Sequence, residues 1–127
     1  MVHQLKFWFS KILIANRGEI ACRVISTCKR LGIKTVAIYS DIDRASRHTL
    51  MADESYLIPS EDPNMSYLSS HEIITIAKQT NSEAIHPGYG FLSENAEFAK
   101  IVEESGIVFI GPSSDAIATM GLKDRAK

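Results

Sequence analysis

The sequence of 127 residues predicts an α/β domain built on an open, doubly wound, mostly parallel five-stranded sheet with helices on both faces. Short β-branched runs alternate with helix-length segments along the whole chain, which is typical of parallel sheets with helical crossovers. The chain is 45% hydrophobic and 23% charged, the usage of an ordinary globular domain. One packed core is therefore expected.

The first strand, helix and second strand form the clearest unit. Residues 11–15 are an apolar run, apolar positions then recur at helical spacing, and residues 35–39 form a second β-branched run. Gly32 has the place of a residue that ends a helix. Asn16 precedes the helix and Glu19 follows three residues later, which is the spacing of a capping box. We therefore expect Asn16 to cap this helix.

The same reasoning predicts the remaining elements. Capping residues begin the helices, with Ser93 or Asn95 before the fourth, and apolar runs mark the strands. In chain order we expect a helical turn within 47–53, a strand at 54–58, a helix after residue 70, a strand at 84–86, a helix at 95–105, a strand at 107–110 and a last helix through Ala116, Ile117 and Met120.

Charge and cysteine content exclude several classes of function. The net charge of −1 gives no electrostatic reason to bind nucleic acid or an anionic membrane. No apolar run approaches the roughly 18 residues of a membrane span. Cys22 and Cys28 fall in one predicted helix, about 9 Å apart along its axis, too far for a disulfide. We expect both thiols to be reduced and packed, and we identify no metal-ligand cluster and no catalytic triad.

Three loops carry the polar residues that could act at a site. They follow the first, second and fourth strands, at 16–19, 40–44 and 86–95. Ligands of open parallel sheets bind at the carboxyl ends of the strands, so these loops are expected along one edge. A dinucleotide site would need a glycine-rich first turn, but that turn holds only Gly18.

The chemistry of the residues alone favours structural roles for the first two loops. Arg17 and Glu19 could pair with each other or bind an anion, although a capped helix end with a solvated arginine is the favoured reading. Asp41 and Asp43 are interpreted as acids that form a turn.

The loop at 86–95 is the most distinctive stretch. Its two glycines permit a positive φ or a close approach to a ligand, and its aromatic and polar side chains suit a small polar ring. A structural turn followed by a helix cap explains it equally well, and its histidine alone is more often structural. The residues concerned are His86, Gly88, Tyr89, Gly90, Phe91, Ser93, Glu94 and Asn95.

Four stretches, at 11–21, 86–95, 109–112 and 120–123, resemble the N-terminal domain of biotin carboxylases in order and spacing. The resemblance covers 11–127 and implies a Rossmann-like domain that precedes an ATP-grasp domain. We expect an N-terminal extension at 1–10, the domain at 11–120, and at 121–127 the start of a link to an ATP-grasp domain outside this sequence. The last eight residues look most like those of 3-methylcrotonyl-CoA carboxylase alpha subunits among the acyl-CoA carboxylases.

The resemblance implies a ligase that uses ATP and bicarbonate to carboxylate biotin on a carrier domain. Magnesium or manganese and the catalytic groups would belong to the ATP-grasp and C-terminal domains, so this chain alone is expected to be inactive and to hold no catalytic or metal-binding residue. A carboxyltransferase subunit and a second copy of the full-length enzyme are the further partners implied. The alternatives are a non-catalytic dimerisation or docking module and, more weakly, a dinucleotide-binding domain.

The resemblance also implies roles for particular residues. Lys123 would bind ATP phosphate, and Tyr89, Gly90 and Glu94 would form one side of the biotin and bicarbonate pocket. His86, Gly88, Phe91 and Asn95 would support that pocket, and Arg23, Ser26 and Arg30 would lie on a dimer face. The bacterial cytoplasm is favoured as the compartment because no clear transit peptide is visible, with the mitochondrial matrix as the alternative for a eukaryotic source.

Overall fold

A computed structural model describes residues 9–58, 70–88 and 95–111 of the chain. Strands and helices alternate along these residues as the sequence predicts. Most predicted bounds agree with the structure within one or two residues, and the predicted helix through residues 116–120 lies outside the described part. The elements are β1 Lys11–Ile14, α1 Gly18–Arg30, β2 Lys34–Tyr39, a 3-10 turn Asp41–Asp43, α2 Arg47–Met51, β3 Glu54–Leu57, α3 Ser70–Gln79, β4 Ala84–His86, α4 Ala96–Glu104 and β5 Val108–Phe109.

The five strands form one sheet in the order β3-β2-β1-β4-β5. All four strand pairs are parallel. The chain adds β2 and β3 on one side of β1, then crosses to add β4 and β5 on the other side. The strand order therefore reverses between β1 and β4, and the crevice at such a reversal is where open α/β sheets bind ligands.

Both faces of the sheet are covered, as a doubly wound fold requires. Successive residues of β1 point to opposite faces, so Leu13 joins the core cluster that α3 and α4 cover. Ile12 and Ile14 join the cluster under α1 on the other face. In the first cluster, Phe98 and Phe109 meet edge to face, with ring centroids 6.0 Å apart. The predicted fold class is confirmed.

Two helix ends agree with the local signals in the sequence. The Asn95 side chain accepts a hydrogen bond from the Phe98 backbone N–H at 3.0 Å and so caps α4. Gly32 follows the C-cap of α1 with φ +75°, a left-handed conformation that favours glycine. Both predictions are confirmed.

The two cysteines are free thiols, as expected. Both belong to α1, where Cys28 lies on the buried face and Cys22 is partly exposed. Burial is the main cause that raises the pKa of the Cys28 thiol, and the nearby negative charge of Asp53 raises it further. Both effects favour the protonated, unreactive form. In the described part of the chain, no helix is both long and apolar enough to cross a membrane.

Candidate functional site

The ends of three parallel strands meet at one edge of the sheet. The Ala15 N–H, just after β1, donates to the His86 carbonyl at the end of β4, at 2.8 Å. On the other side of β1, Arg17 reaches the turn after β2. The expectation that the loops after β1, β2 and β4 lie along one edge is confirmed, and β1 is the strand that the other two flank.

Asn16 joins the loop after β1 to the loop after β4. Its side-chain Nδ2 donates to the Pro87 carbonyl at 2.8 Å, a contact across 71 positions of sequence. Its Oδ1 accepts from the Arg17 N–H at 2.7 Å. The N-cap of α1 is Arg17, with no side-chain hydrogen bond to the helix, so the predicted capping by Asn16 is wrong. The Asn16 amide is instead committed to a tertiary contact that local spacing does not reveal.

Gly88 packs directly against Asn16. Its φ is +69°, and a Cβ atom at this position would lie only 2.3 Å from Asn16 Nδ2. The left-handed backbone is one of the two features expected of this glycine, and the position also excludes a Cβ atom because a neighbouring group packs closely on it. The approaching group is the Asn16 side chain.

The His86 side chain stabilises the same turn by a hydrogen bond to its backbone. The Gly88 N–H donates to His86 Nδ1 at 3.0 Å. Because Nδ1 is an acceptor, a neutral His86 carries its proton on Nε2. Burial lowers the pKa of His86, which favours this neutral form. His86 therefore supports the turn through the Gly88 backbone, in agreement with its interpretation as a structural histidine.

Arg17 and Asp43 form a two-pronged ion pair that sequence reasoning missed. Arg17 Nε lies 2.6 Å from Asp43 Oδ2, and Nη2 lies 2.7 Å from Oδ1. The Asp43 side chain is 9% exposed and the Arg17 side chain is 52% exposed. Arg17 is thus partly solvated and Asp43 lies in the turn Asp41–Asp43, as expected, and the ion pair adds a contact that neither interpretation included. The signal for this pair was the adjacency of the ends of β1 and β2. Asp41 pairs with Arg44 at the exposed surface, and no ion pair joins Glu19 to another residue that the structure describes.

The outer face of α1 carries the residues predicted for a dimer contact. Arg23, Ser26 and Arg30 are all exposed. Their spacing of three and four places them along one side of the helix. Arg23 also lines a groove of about 510 Å³ beside the sheet, whose other lining residues are Ile12, Ile20, Val24, Thr27, Cys28, Leu31, Ile33 and His86.

Several predicted site residues lie outside the described part of the chain, namely Tyr89, Gly90, Phe91, Glu94 and Lys123. Among the described ones, His86 and Gly88 meet at the strand edge, and Asn95 caps α4. No group of three or more metal-ligating side chains occurs within the described ranges. What this edge offers is a backbone turn held by hydrogen bonds and close packing, a partly buried imidazole and an ion pair with a buried carboxylate.

The comparisons with known proteins agree with one another. A family model described as "Biotin carboxylase, N-terminal domain" matches residues 8–117. The mitochondrial methylcrotonoyl-CoA carboxylase subunit alpha of Dictyostelium discoideum is 59% identical over 118 residues, which is 93% of this chain and 17% of that protein. The mitochondrial propionyl-CoA carboxylase alpha chain of Homo sapiens is 55% identical over 119 residues, which is 94% of this chain and 16% of that protein.

A solved structure extends the likeness to the fold. The biotin carboxylase domain dimer of Hydrogenobacter thermophilus 2-oxoglutarate carboxylase, in complex with MgADP, ADP and bicarbonate, is 54% identical and superposes with a TM-score of 0.87. The match covers 91% of this chain and 25% of that one. This chain thus spans a small part of each relative. The family model covers most of the chain, and the chain belongs to the biotin carboxylase N-terminal domain family.

Proposed function

We propose that this chain is the first part of a biotin carboxylase unit, in which ATP and bicarbonate carboxylate N1′ of biotin on a carrier domain. The observation that carries the proposal is the turn at His86–Gly88, docked on Asn16 at the point where the strand order reverses. Open α/β sheets bind ligands at this place. A relative with the same fold is described in complex with bicarbonate and MgADP.

The role proposed for the chain is to supply one wall of the biotin and bicarbonate pocket. Tyr89, Gly90 and Glu94 would contact these substrates, and Phe91 would add apolar surface beside them. Support comes from the turn immediately before them, where the Gly88 backbone is held by hydrogen bonding and close packing. At the other end of the loop, Asn95 is fixed as the cap of α4.

ATP and its magnesium or manganese ion would be held largely by the ATP-grasp and C-terminal domains. Lys123 is the one residue of this chain proposed to bind ATP, through a phosphate. Carboxyphosphate would form and react in those later domains, so the 127-residue chain is proposed to be inactive by itself. The metal supplies charge neutralisation for phosphoryl transfer when bound.

The full-length protein is proposed to form a homodimer through the side of α1 that carries Arg23, Ser26 and Arg30. These side chains are exposed, which is what an uncovered interface requires. A relative is described as a dimer. The other partners proposed are the biotin carrier domain and a carboxyltransferase subunit.

The acyl-CoA subtype and the compartment are finer proposals. The closing residues and the highest identity quoted above favour a 3-methylcrotonyl-CoA carboxylase, although the propionyl-CoA carboxylase relative is nearly as similar. The bacterial cytoplasm is the proposed compartment. The mitochondrial matrix is the alternative, and fractionation of the source cells distinguishes the two.

The test of the proposed function is carboxylation of free biotin by the full-length protein. Labelled bicarbonate, biotin and MgATP are supplied, and the label transferred to biotin is counted, with ATP omitted as the control. We expect ATP-dependent transfer. A folded full-length protein that transfers no label, but forms a stable complex with another subunit, would instead support a docking module.

A further inference from the structure

The side-chain amide of Asn16 is fixed in one orientation by two partners. Its Oδ1 accepts the Arg17 N–H, so its Nδ2 must face the Pro87 carbonyl, to which it donates at 2.8 Å. An amide has only one carbonyl oxygen, and a flipped amide would place a donor against a donor and an acceptor against an acceptor. Asn16 therefore has one arrangement that satisfies both bonds.

The backbone that Asn16 holds is restrained at successive atoms. The Pro87 carbonyl takes the Asn16 hydrogen bond, and the Gly88 N–H donates to His86 Nδ1. The Gly88 Cα packs so closely on the Asn16 amide that no Cβ atom would fit there. The path of the chain is thus set up to the residue before Tyr89.

We infer that Asn16 is a positioning residue for the biotin and bicarbonate pocket, acting through the backbone of Pro87 and Gly88. The inference rests on the proposed function, since it assigns the consequence of this contact to substrates bound by the residues that follow. Asn16 need not touch either substrate. Its hydrogen bond sets where the loop leaves β4, and displacements of about 1 Å can cost about a hundredfold in rate when they misplace reacting groups.

A selective kinetic effect distinguishes positioning from general stability. ATP is proposed to meet this chain only at Lys123, which does not belong to the loop that follows Gly88. A disturbed turn should therefore weaken the binding of biotin and bicarbonate without weakening the binding of ATP. Loss of folded protein would instead lower the apparent kcat and leave every KM unchanged.

The experiment uses the Asn16→Asp variant of the full-length protein. Aspartate keeps the acceptor for the Arg17 N–H and replaces the donor to the Pro87 carbonyl with a second oxygen. We expect the KM values for biotin and bicarbonate to rise about tenfold, and the KM for ATP to change less than about twofold. Asn81→Asp makes the same chemical change at an exposed turn before β4, where φ is +61°, and is expected to leave all three KM values unchanged.

Three unchanged KM values in Asn16→Asp, or an equal rise in all three, would overturn the inference. Thermal unfolding shows whether the variant is folded. If Asn16→Asp does not fold, Asn16→Ser is measured by the same criteria, because serine retains an oxygen near the Arg17 N–H and is too short to reach Pro87. A wild-type protein that carboxylates no biotin would overturn the proposed function itself, whereas an active wild type with an unaffected Asn16→Asp variant would overturn only the role of Asn16.

Discussion

The Arg17 guanidinium grips the Asp43 carboxylate with two contacts of 2.6 and 2.7 Å and ties the end of β1 to the end of β2. The preceding residue, Asn16, ties β1 to the turn after β4 on the opposite side. Two consecutive residues thus hold the flanking loops on both sides of the central strand. The residues that follow the central strand β1 therefore hold together the edge of the sheet that is proposed to face the substrates.

The first prediction concerns the carboxylate of this ion pair. Asp43 is buried and accepts two charge-assisted hydrogen bonds, whereas Asp41 pairs with Arg44 in water, with both side chains more than 60% exposed. We expect Asp43→Asn to lower the free energy of unfolding by about 2 kcal/mol. The matched change Asp41→Asn should cost less than about 0.5 kcal/mol, because exposed ion pairs contribute little.

Urea unfolding of the two variants beside the wild type provides the measurement. Equal losses for Asp43→Asn and Asp41→Asn would show that the Arg17–Asp43 pair is no stronger than the exposed Asp41–Arg44 pair. The restraint at the end of β2 would then have to come from another contact.

Asn16 and Asn95 show which contacts can be predicted from the local sequence and which cannot. Both were predicted to cap a helix, and only Asn95 does so. The Asn95 side chain finds its partner three residues further along the chain, in the helix that it caps. The Asn16 amide, by contrast, meets a carbonyl from a strand that arrives 71 positions later, and this contact depends on the strand order of the folded sheet. The strands β1, β2 and β4 were predictable because their burial depends mainly on composition and spacing.

The second prediction separates backbone strain from close packing at glycine. Gly88 and Gly106 both have positive φ, at +69° and +81°, but only Gly88 has a neighbour where a Cβ atom would lie. Gly106→Ala should cost about 1 kcal/mol from conformation alone. Gly88→Ala should cost at least about 1 kcal/mol more, because the methyl group would displace Asn16. Thermal unfolding of the two variants compares them directly, and equal costs would mean that Asn16 moves aside freely.

The third prediction is a pH dependence that comes from His86. Burial lowers the folded-state pKa of His86, so the unfolded chain takes up a proton more readily than the folded one. The stability contributed by the neutral ring is complete above the unfolded pKa of about 6.5 and is lost as pH falls through that value towards the lower folded-state pKa. Protonation also removes the acceptor for the Gly88 N–H.

The pH series is measured by urea unfolding between pH 7.5 and 5. We expect His86→Gln to be less stable than the wild type at pH 7.5 and to lose less stability as the pH falls. His71→Gln, at an exposed position of α3, is the matched histidine-to-glutamine control. A His86→Gln curve parallel to that of the wild type would show that folding does not lower the pKa of His86.

The fourth prediction tests the core that supports the edge. Phe98 is fully buried and meets Phe109 edge to face, whereas Leu50 is 77% exposed. Phe98→Ala removes a ring from a packed core and should cost about 4 kcal/mol. Leu50→Ala should change the free energy of unfolding by less than about 0.5 kcal/mol. A small cost at Phe98, measured by urea unfolding, would mean that α4 packs more loosely on the sheet than the structure shows.

The candidate site could be predicted only in part, and the cause is physical. The sequence indicated that Gly88 permits a left-handed backbone or the close approach of a ligand, and the structure shows the left-handed backbone together with close packing by a side chain. It did not identify the partner, because Asn16 reaches Gly88 only when β1 and β4 are neighbours. The Arg17–Asp43 pair was missed in the same way, since each residue had a sufficient local explanation until β1 and β2 were placed side by side.

The most direct test of the central claim compares the full-length protein with the 127-residue chain in the transfer of labelled bicarbonate to biotin. The account predicts ATP-dependent transfer by the full-length protein and none by the 127-residue chain at the same molar concentration. Transfer by the short chain alone, or no transfer by a folded full-length protein that binds ATP, would contradict it.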